Sequence, residues 1–324
     1  MTPSLWHQQI EDTISKINFN KAPNELYDPI RYTLGLTGKR LRPMLVFLGC
    51  DIFNGNTLEV VNAAAGIEVF HNFTLLHDDI MDNAPVRRGM PTVHAKWNSN
   101  VAILAGDTMF VKAFELMMMV PEVHLKAVLD LFCKTAIEVC EGQQLDMNFE
   151  KQNNVSIDEY IHMITLKTSV LLACSLKTGT IVAGANADDA KHIYEFGKNV
   201  GIAFQIQDDL LDAYGNAEKF GKQTGGDIIA NKKTILYLEA LQLANAEQKK
   251  QLQEIYRGAI KLNDAEKVES VKSIFNALEI QKHVKALMDK YYNSALSHLA
   301  LTNANDQKKE SLVAFCNQLM QRES

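Results

Sequence analysis

Asp78, Asp79 and Asp82 form a DDxxD in the stretch Leu75–Gly89, LLHDDIMDNAPVRRG, and the adjacent pair Arg87-Arg88 follows it. On a helix, residues i and i+4 share a face, so Asp78 and Asp82 present two carboxylates about one turn apart. Asp79 points roughly 100° away, where it can orient its neighbours. Two carboxylates at this spacing suit Mg2+, which takes a few carboxylates, several waters and a phosphate partner. The arginines suit the other half of that partnership, because a guanidinium fork matches phosphate oxygens. A lone acidic cluster on a helix is ordinarily a solvated face. Here a second copy lies far downstream, at Asp208-Asp209-Leu210-Leu211-Asp212.

Cations stand around both copies. Gly38-Lys39-Arg40-Leu41-Arg42-Pro43 puts three within four positions, and Lys167-Thr168 interrupts the apolar run IHMITLKTSVLLACSL. A lysine buried there needs an anionic partner. Gly221-Lys222, Gly225-Gly226-Asp227 and Asn231-Lys232-Lys233 follow the second DDxxD, a segment able to close over a phosphate. Acids for metal ions together with scattered Lys and Arg imply a substrate carrying a diphosphate. The apolar helices between them imply that its other end is hydrocarbon.

The elements that must position these groups read as helices. Val60–Leu76, VVNAAAGIEVFHNFTLL, has few charges and many small residues, as expected of a central helix, and it delivers the first DDxxD. Asn199–Tyr214, NVGIAFQIQDDLLDAY, has the same character and delivers the second. Buried carboxylates are costly unless paired or metal-bound, so two such helices predict a shared cavity with acidic groups facing each other at its mouth. None of the seven prolines lies beyond Pro121. In Ala277–Leu301, Leu278, Ile280, Val284, Leu287, Met288 and Tyr291 recur at helical steps. No alternating strand run with an NG or DG turn stands out. These features predict an all-α protein forming a single domain, residues 1–324. Short breaks are expected near Asn54–Thr57, Pro85–Asn98, Gln152–Ser156, Ala185–Asp188, Gly215–Lys232 and Thr302–Asp306.

Composition excludes several classes. With 324 residues, 47% hydrophobic and 22% charged, the chain reads as a soluble globular protein. A net charge of −6 gives no global basic field for nucleic acid or anionic membrane. The start shows no signal-peptide pattern, and no run approaches the ~20 apolar residues of a membrane span. Five widely spaced cysteines without a CxxC read as reduced, mostly buried thiols, which predicts a cytoplasmic protein.

Seven motifs in order make the chain resemble the trans-isoprenyl diphosphate synthases of the polyprenyl synthetase family. They are GKRLRP (Gly38–Pro43), EVFHNFTLLHDDIMD (Glu68–Asp82), RRG (Arg87–Gly89), GQQLD (Gly142–Asp146), LKT (Leu166–Thr168), FQIQDDLLD (Phe204–Asp212) and FGKQTGGDIIANKKT (Phe220–Thr234). The resemblance implies the isoprenoid synthase fold, packed and mostly antiparallel helices around a deep central cavity, usually as a homodimer. It implies Mg2+, three ions with substrate bound, held by Asp78, Asp82 and Asp208 and supported by Asp79, Asp209 and Asp212. Arg87, Lys167, Lys222 and Lys232 resemble the ligands of the allylic diphosphate, and Lys39, Arg42, His71 and Arg88 those of isopentenyl diphosphate. Thr168 and Gln205 are placed to stabilise an allylic cation, with Lys167 assisting departure of pyrophosphate.

In this family the growing chain would run beside Val60–Asp82, toward that helix's N-terminus. Phe73, five positions before Asp78, resembles the aromatic stop of short-chain members, with Thr74 and Phe70 as neighbouring candidates. Thr74 is not aromatic, which leans toward a geranylgeranyl rather than a farnesyl product. Three rival readings remain at this stage. A di-metal carboxylate bundle would use Glu68-x-x-His71 and Glu159-x-x-His162. A terpene cyclase would share only the first aspartate motif. A non-catalytic prenyl-lipid-binding homologue would have lost aspartates that are all present here.

Overall fold

Gly66, in the helix that delivers the first aspartates, lets a second helix backbone come close. The computed structural model describes residues 3–36, 38–152, 154–215 and 224–320. From the N-terminus it has α1 (Pro3–Lys16), α2 (Asn24–Gly35), α3 (Leu41–Asp51), α4 (Val61–Met81), α5 (Val93–Lys96), α6 (Ser99–Met117) and α7 (Glu122–Lys151). Then come α8 (Ile157–Ile164), a π-helical turn (Thr165–Ser169), α9 (Val170–Val182), α10 (Ala187–Tyr214) and the short α11 (Gly226–Ile229). The last are α12 (Ile235–Leu243), α13 (Ala246–Tyr256), α14 (Asp264–Ala277), α15 (Ile280–Ala300) and α16 (Asp306–Met320). The all-α expectation holds. The strand-like exception is a hairpin of two-residue strands, β1 (Val86–Arg87) and β2 (Met90–Pro91), inside the predicted break after Pro85. No helix among the described residues is long and apolar enough to cross a membrane.

The contacts gather into two compact units. One comprises Met1–Lys134, Cys174–Tyr194 and Thr302–Lys308, the other Thr135–Ala173, Glu195–Leu301 and Lys309–Ser324. In the first, α4 packs along α6, and a Cβ on Gly66 would lie 3.1 Å from the Ala113 carbonyl oxygen. A second close crossing joins α3 to the end of α9. A Cβ on Gly49 would sit 2.0 Å from the Leu176 oxygen, and one on Gly179 2.0 Å from the Val46 oxygen. Both positions need glycine for the backbones to meet.

The second unit has its own core, built from α8, the end of α10 and α12 to α15, with Ile206, Leu236, Leu252, Val271 and Phe275 at its centre. Three of its helices start at capping boxes, Ser156 with Glu159, Asn245 with Gln248, and Asn263 with Glu266. Most of the helical segment read within Ala277–Leu301 is α15, which begins at Ile280. Glu279 takes a left-handed conformation, φ 49°, between α14 and α15, which lets Ile280 turn inward and become fully buried. Cys50, Cys174 and Cys316 are buried, whereas Cys133 and Cys140 are exposed.

Candidate active site

In the first unit, α4 carries Asp78 and Asp79 to its last turn, and Asp82 caps that end, its amide donating to the Asp78 carbonyl at 2.9 Å. The hairpin then folds the chain back. Its two-residue turn, Arg88-Gly89, has φ values of 54° and 75°, the signature of a type I′ turn. Consequently Arg87 points at the aspartates: its Nε donates to Asp79 Oδ1 at 2.7 Å, and its Nη2 stands 3.6 Å from Asp78 Oδ2. Asp79 is buried, and burial raises its pKa against the opposing effect of Arg87. Asp82 is exposed and Asp78 half-buried. Their hard carboxylate oxygens, a turn apart, fit a cation that completes its shell with water and phosphate.

Basic residues of the same unit surround His71. Arg42 Nη1 lies 3.1 Å from His71 Nε2, and a guanidinium only donates, so Nε2 accepts and the proton sits on Nδ1. Burial, then Arg42, Arg88, Arg87 and Arg40, push the His71 pKa well below its usual value. A neutral imidazole among four arginines is an environment that favours an anion. Arg88 donates to the Leu36 carbonyl at 3.4 Å and lies over Gly38, whose Cβ position would be 2.9 Å from Arg88 Nη1. Lys39 is exposed just before α3.

Arg40, read only as one cation of three, has a different task. It is 4% exposed, with its Nε donating to Glu11 Oε1 and its Nη1 to Glu68 Oε1, both at 2.7 Å. Burial alone would lower its pKa, but the two carboxylates outweigh that and raise it. Glu68 also accepts from Asn72 Nδ2 at 2.9 Å. The Glu68-x-x-His71 pair therefore points its two side chains to different arginines. Glu159 is taken up by the Ser156 cap, so neither Glu-x-x-His pair supports a di-metal bundle.

Behind the first aspartates lies an aromatic cluster. Phe73 meets His77, Phe110 and Phe70 with ring centroids 4.8, 5.0 and 5.5 Å apart, and Phe70 packs on Phe132 at 5.1 Å. Phe70 is fully buried, Phe73 partly. Thr74 turns its hydroxyl back to the His71 carbonyl at 2.8 Å. Phe110, on α6, is a member of this cluster that sequence spacing did not disclose.

In the second unit the three aspartates of the second motif do three different things. Asp208 is half-buried at the surface of α10. Asp209 is buried: its Oδ2 accepts from the Tyr160 hydroxyl and, at 3.4 Å, from the Ile235 amide, and its Oδ1 accepts from Gln205 Nε2 at 3.2 Å. Burial, then Asp227 nearby, push its pKa upward, while the hydrogen bonds from Tyr160, Gln205 and the Ile235 amide work against that shift. Asp212 accepts the Asp227 amide on Oδ2 at 2.9 Å and the Gly225 amide on its carbonyl at 2.6 Å, tying down α11. Gly225, φ 83°, makes that turn possible.

Lys167 and Thr168 sit on the π turn. Glycines hold this turn on two sides: a Cβ on Gly142 would lie 2.2 Å from the Lys167 amide nitrogen, and one on Gly201 2.6 Å from Ser169 Cα. Lys167 Nζ donates to Asp146 Oδ2 at 2.6 Å, and Thr168 Oγ1 donates to Gln205 Oε1 at 3.2 Å. Lys232 Nζ is 3.9 Å from Asp227 Oδ1. Lys167, Thr168, Gln205, Asp209, Lys232 and Asp227 share a cavity of about 460 Å3. Lys222 lies outside the described residues. Asp146, Asp227 and Tyr160 are members of this site that the motif spacing alone does not assign.

The sequence pattern of the polyprenyl synthetase family matches residues 23–278. A geranylgeranyl diphosphate synthase of Sulfolobus acidocaldarius is 38% identical over 296 residues, 90% of this chain and 88% of that one. Its counterpart from Methanosarcina mazei is 44% identical over 222 residues, 68% of each. Among solved structures, a geranylgeranyl pyrophosphate synthase superposes with a TM-score of 0.93 at 40% identity, 100% of both chains being covered. A geranylgeranyl pyrophosphate synthetase from Pyrococcus horikoshii Ot3 gives 0.91 at 33%, covering 98% of this chain and 96% of its own.

Proposed function

The chain belongs to the polyprenyl synthetase family, and from that premise we propose a short-chain trans-prenyltransferase that joins isopentenyl diphosphate to an allylic diphosphate, with geranylgeranyl diphosphate as its main product. The observation that carries this reading is the neutral His71, held by Arg42 with Arg88 and Arg87 acting on it, on the same helix that ends in a one-turn pair of carboxylates. That pairing of an anion site with a hard-cation site suits diphosphate chemistry and little else. The relatives named geranylgeranyl diphosphate synthases support the product assignment.

Asp78, Asp82 and Asp208 would hold Mg2+, three ions with substrate bound, while Asp212 stays engaged with the α11 loop. Bound Mg2+ supplies positive charge to the leaving pyrophosphate. Arg87, Lys167 and Lys232, with Lys222, take the allylic diphosphate. Arg87 and Lys167 already face carboxylates, from which a more highly charged diphosphate would draw them. Lys39, Arg42, His71 and Arg88 take isopentenyl diphosphate. Thr168 and Gln205 turn their dipoles to the allylic carbon as it loses its leaving group. Attack by the double bond of isopentenyl diphosphate forms the new carbon–carbon bond, and the proton leaves to the released pyrophosphate.

Phe73, with Phe70 and Thr74, would limit product length. One catalytic domain, residues 1–324, is inferred to work in the cytoplasm as a homodimer. Leu104, Val111 and Met118, seven residues apart and 59, 66 and 51% exposed, support a partner on the α6 side. The test is incubation with isopentenyl diphosphate and each of dimethylallyl, geranyl and farnesyl diphosphate. Products of twenty carbons are expected, and no elongation from any starter would overturn the reading.

A further inference from the structure

Tyr160 is 3% exposed, on the inner face of α8, and its hydroxyl reaches the equally buried Asp209 across the core of the second unit. Burial and the Asp209 charge raise the phenol pKa well above its usual value, so the hydroxyl keeps its proton and acts as donor. Three donors converge on Asp209, so both of its oxygens act as acceptors: Oδ2 for Tyr160 and the Ile235 amide, Oδ1 for Gln205 Nε2. That last contact decides which way round the Gln205 amide sits. With its NH2 group on Asp209, its Oε1 is left for Thr168, whose hydroxyl donates at 3.2 Å. Thr168 thereby spends its one proton on Gln205. Its oxygen lone pairs are free to meet positive charge developing in the cavity that both residues line.

Building on the prenyltransferase reading, we propose that Tyr160 is a positioning residue, fixing through Asp209 the orientation in which Gln205 and Thr168 present oxygen to the reacting carbon. Without the phenol oxygen, Asp209 Oδ2 retains the Ile235 amide at 3.4 Å. The carboxylate can then turn, release Gln205 Nε2 and let the amide flip. The flipped amide offers N–H where the reaction needs oxygen, while the diphosphate ligands, which lie on other residues, are untouched.

The experiment is steady-state kinetics on Tyr160→Phe, Asp209→Asn and the double variant, with isopentenyl diphosphate and farnesyl diphosphate, beside thermal melts of each. Tyr160→Phe should lower kcat by about ten- to a hundredfold, the scale of losing a hydrogen bond to a charged group. Both KM values should stay within about threefold, because substrate binding is left intact. The double variant should be no slower than the slower single variant, since Tyr160 acts only through Asp209. A purely structural tyrosine would instead multiply its loss with that of Asp209→Asn. Wild-type kcat in Tyr160→Phe, or multiplying losses, would overturn the proposal. If Tyr160→Phe is too unstable to assay, Thr168→Val combined with Asp209→Asn tests the chain from its other end under the same two outcomes. Failure of the wild-type enzyme to elongate any starter would be a failure of the prenyltransferase reading, and is thus distinguishable.

Discussion

Phe73→Ala should lengthen the product by one isoprene unit and no more. Phe73 stands five residues before Asp78, about 7.5 Å along α4 from the aspartate motif. Its ring meets His77, Phe110 and Phe70 at centroid distances of 4.8 to 5.5 Å, so it is braced from three sides and cannot swing away from a growing chain. Removing it deletes a phenyl group, comparable in bulk with one isoprene unit, and one helical turn rises ~5.4 Å, comparable with that unit's length. Beneath it Phe70 is fully buried and held by Phe132 and Phe110, so a second barrier remains in place. Truncating a fully buried phenylalanine costs about 3–5 kcal/mol; Phe73 is only partly buried, and a loss of roughly 2–3 kcal/mol is expected. The assay is labelled isopentenyl diphosphate with farnesyl diphosphate, products dephosphorylated and sized by chromatography, with a melt to confirm folding. The expected shift is from twenty to twenty-five carbons. An unchanged product from a folded, active variant would refute Phe73 as the barrier, and a product of thirty carbons or more would refute Phe70 as the next one.

Chelation with excess EDTA should abolish turnover, and Asp78→Ala, Asp82→Ala or Asp208→Ala should each lower kcat by ~10²–10³ or more; full activity in EDTA would contradict the metal assignment. Gly142→Ala forces a Cβ to 2.2 Å from the Lys167 amide nitrogen, and since backbone cannot yield cheaply the π turn must shift. A displacement of about 1 Å at a catalytic group costs roughly a hundredfold, so kcat should fall on that scale, whereas Gly35→Ala, with nothing within 4 Å, should match wild type. His71, held neutral in the folded protein, binds its proton more readily when unfolded. Stability tied to it is present above the unfolded pKa near 6.5 and is lost on acidification below that value, by at most about 1.4 kcal/mol per pH unit. Melts between pH 7 and pH 5 should therefore fall more steeply for wild type than for His71→Gln, and parallel curves would refute the neutral assignment.

The sequence disclosed what repeats locally. Two apolar helices ending in aspartates, the cationic stretches and the absence of strand alternation are each properties of a window, and α4 and α10 follow from them. Two helix starts that the sequence analysis did not use, at Asn245-x-x-Gln248 and Asn263-x-x-Glu266, carry the same kind of local signal, a capping box. The break at Glu279 carries none: no Gly or Pro marks it, and the surrounding apolar spacing continues through it. Burial of Ile280 outweighs the cost of one left-handed residue, and burial is not a property of a window.

The site divides along the same line. Aspartates and lysines announce themselves by type, so the charged half of the chemistry was readable, but the partner each would meet was not. In the sequence Arg40 is one of three like cations in GKRLRP, and only Glu11 and Glu68, distant in sequence, close on it and give it a structural task. Asp209 counts as a metal-site acid until Tyr160, 49 residues earlier, takes one of its oxygens. The π turn under Lys167 depends on Gly142 and Gly201 coming in from two other helices. In each case a neutral or oppositely charged neighbour, brought by tertiary packing, converts one of several like residues into a group with a separate task. Three aspartates that look equivalent in DDLLD thus become one half-buried at the surface of α10, one that fixes an amide and one that ties down a loop. Exchange of Asp208 and exchange of Asp209 should accordingly differ in kind: the first in metal dependence, the second in kcat at saturating metal.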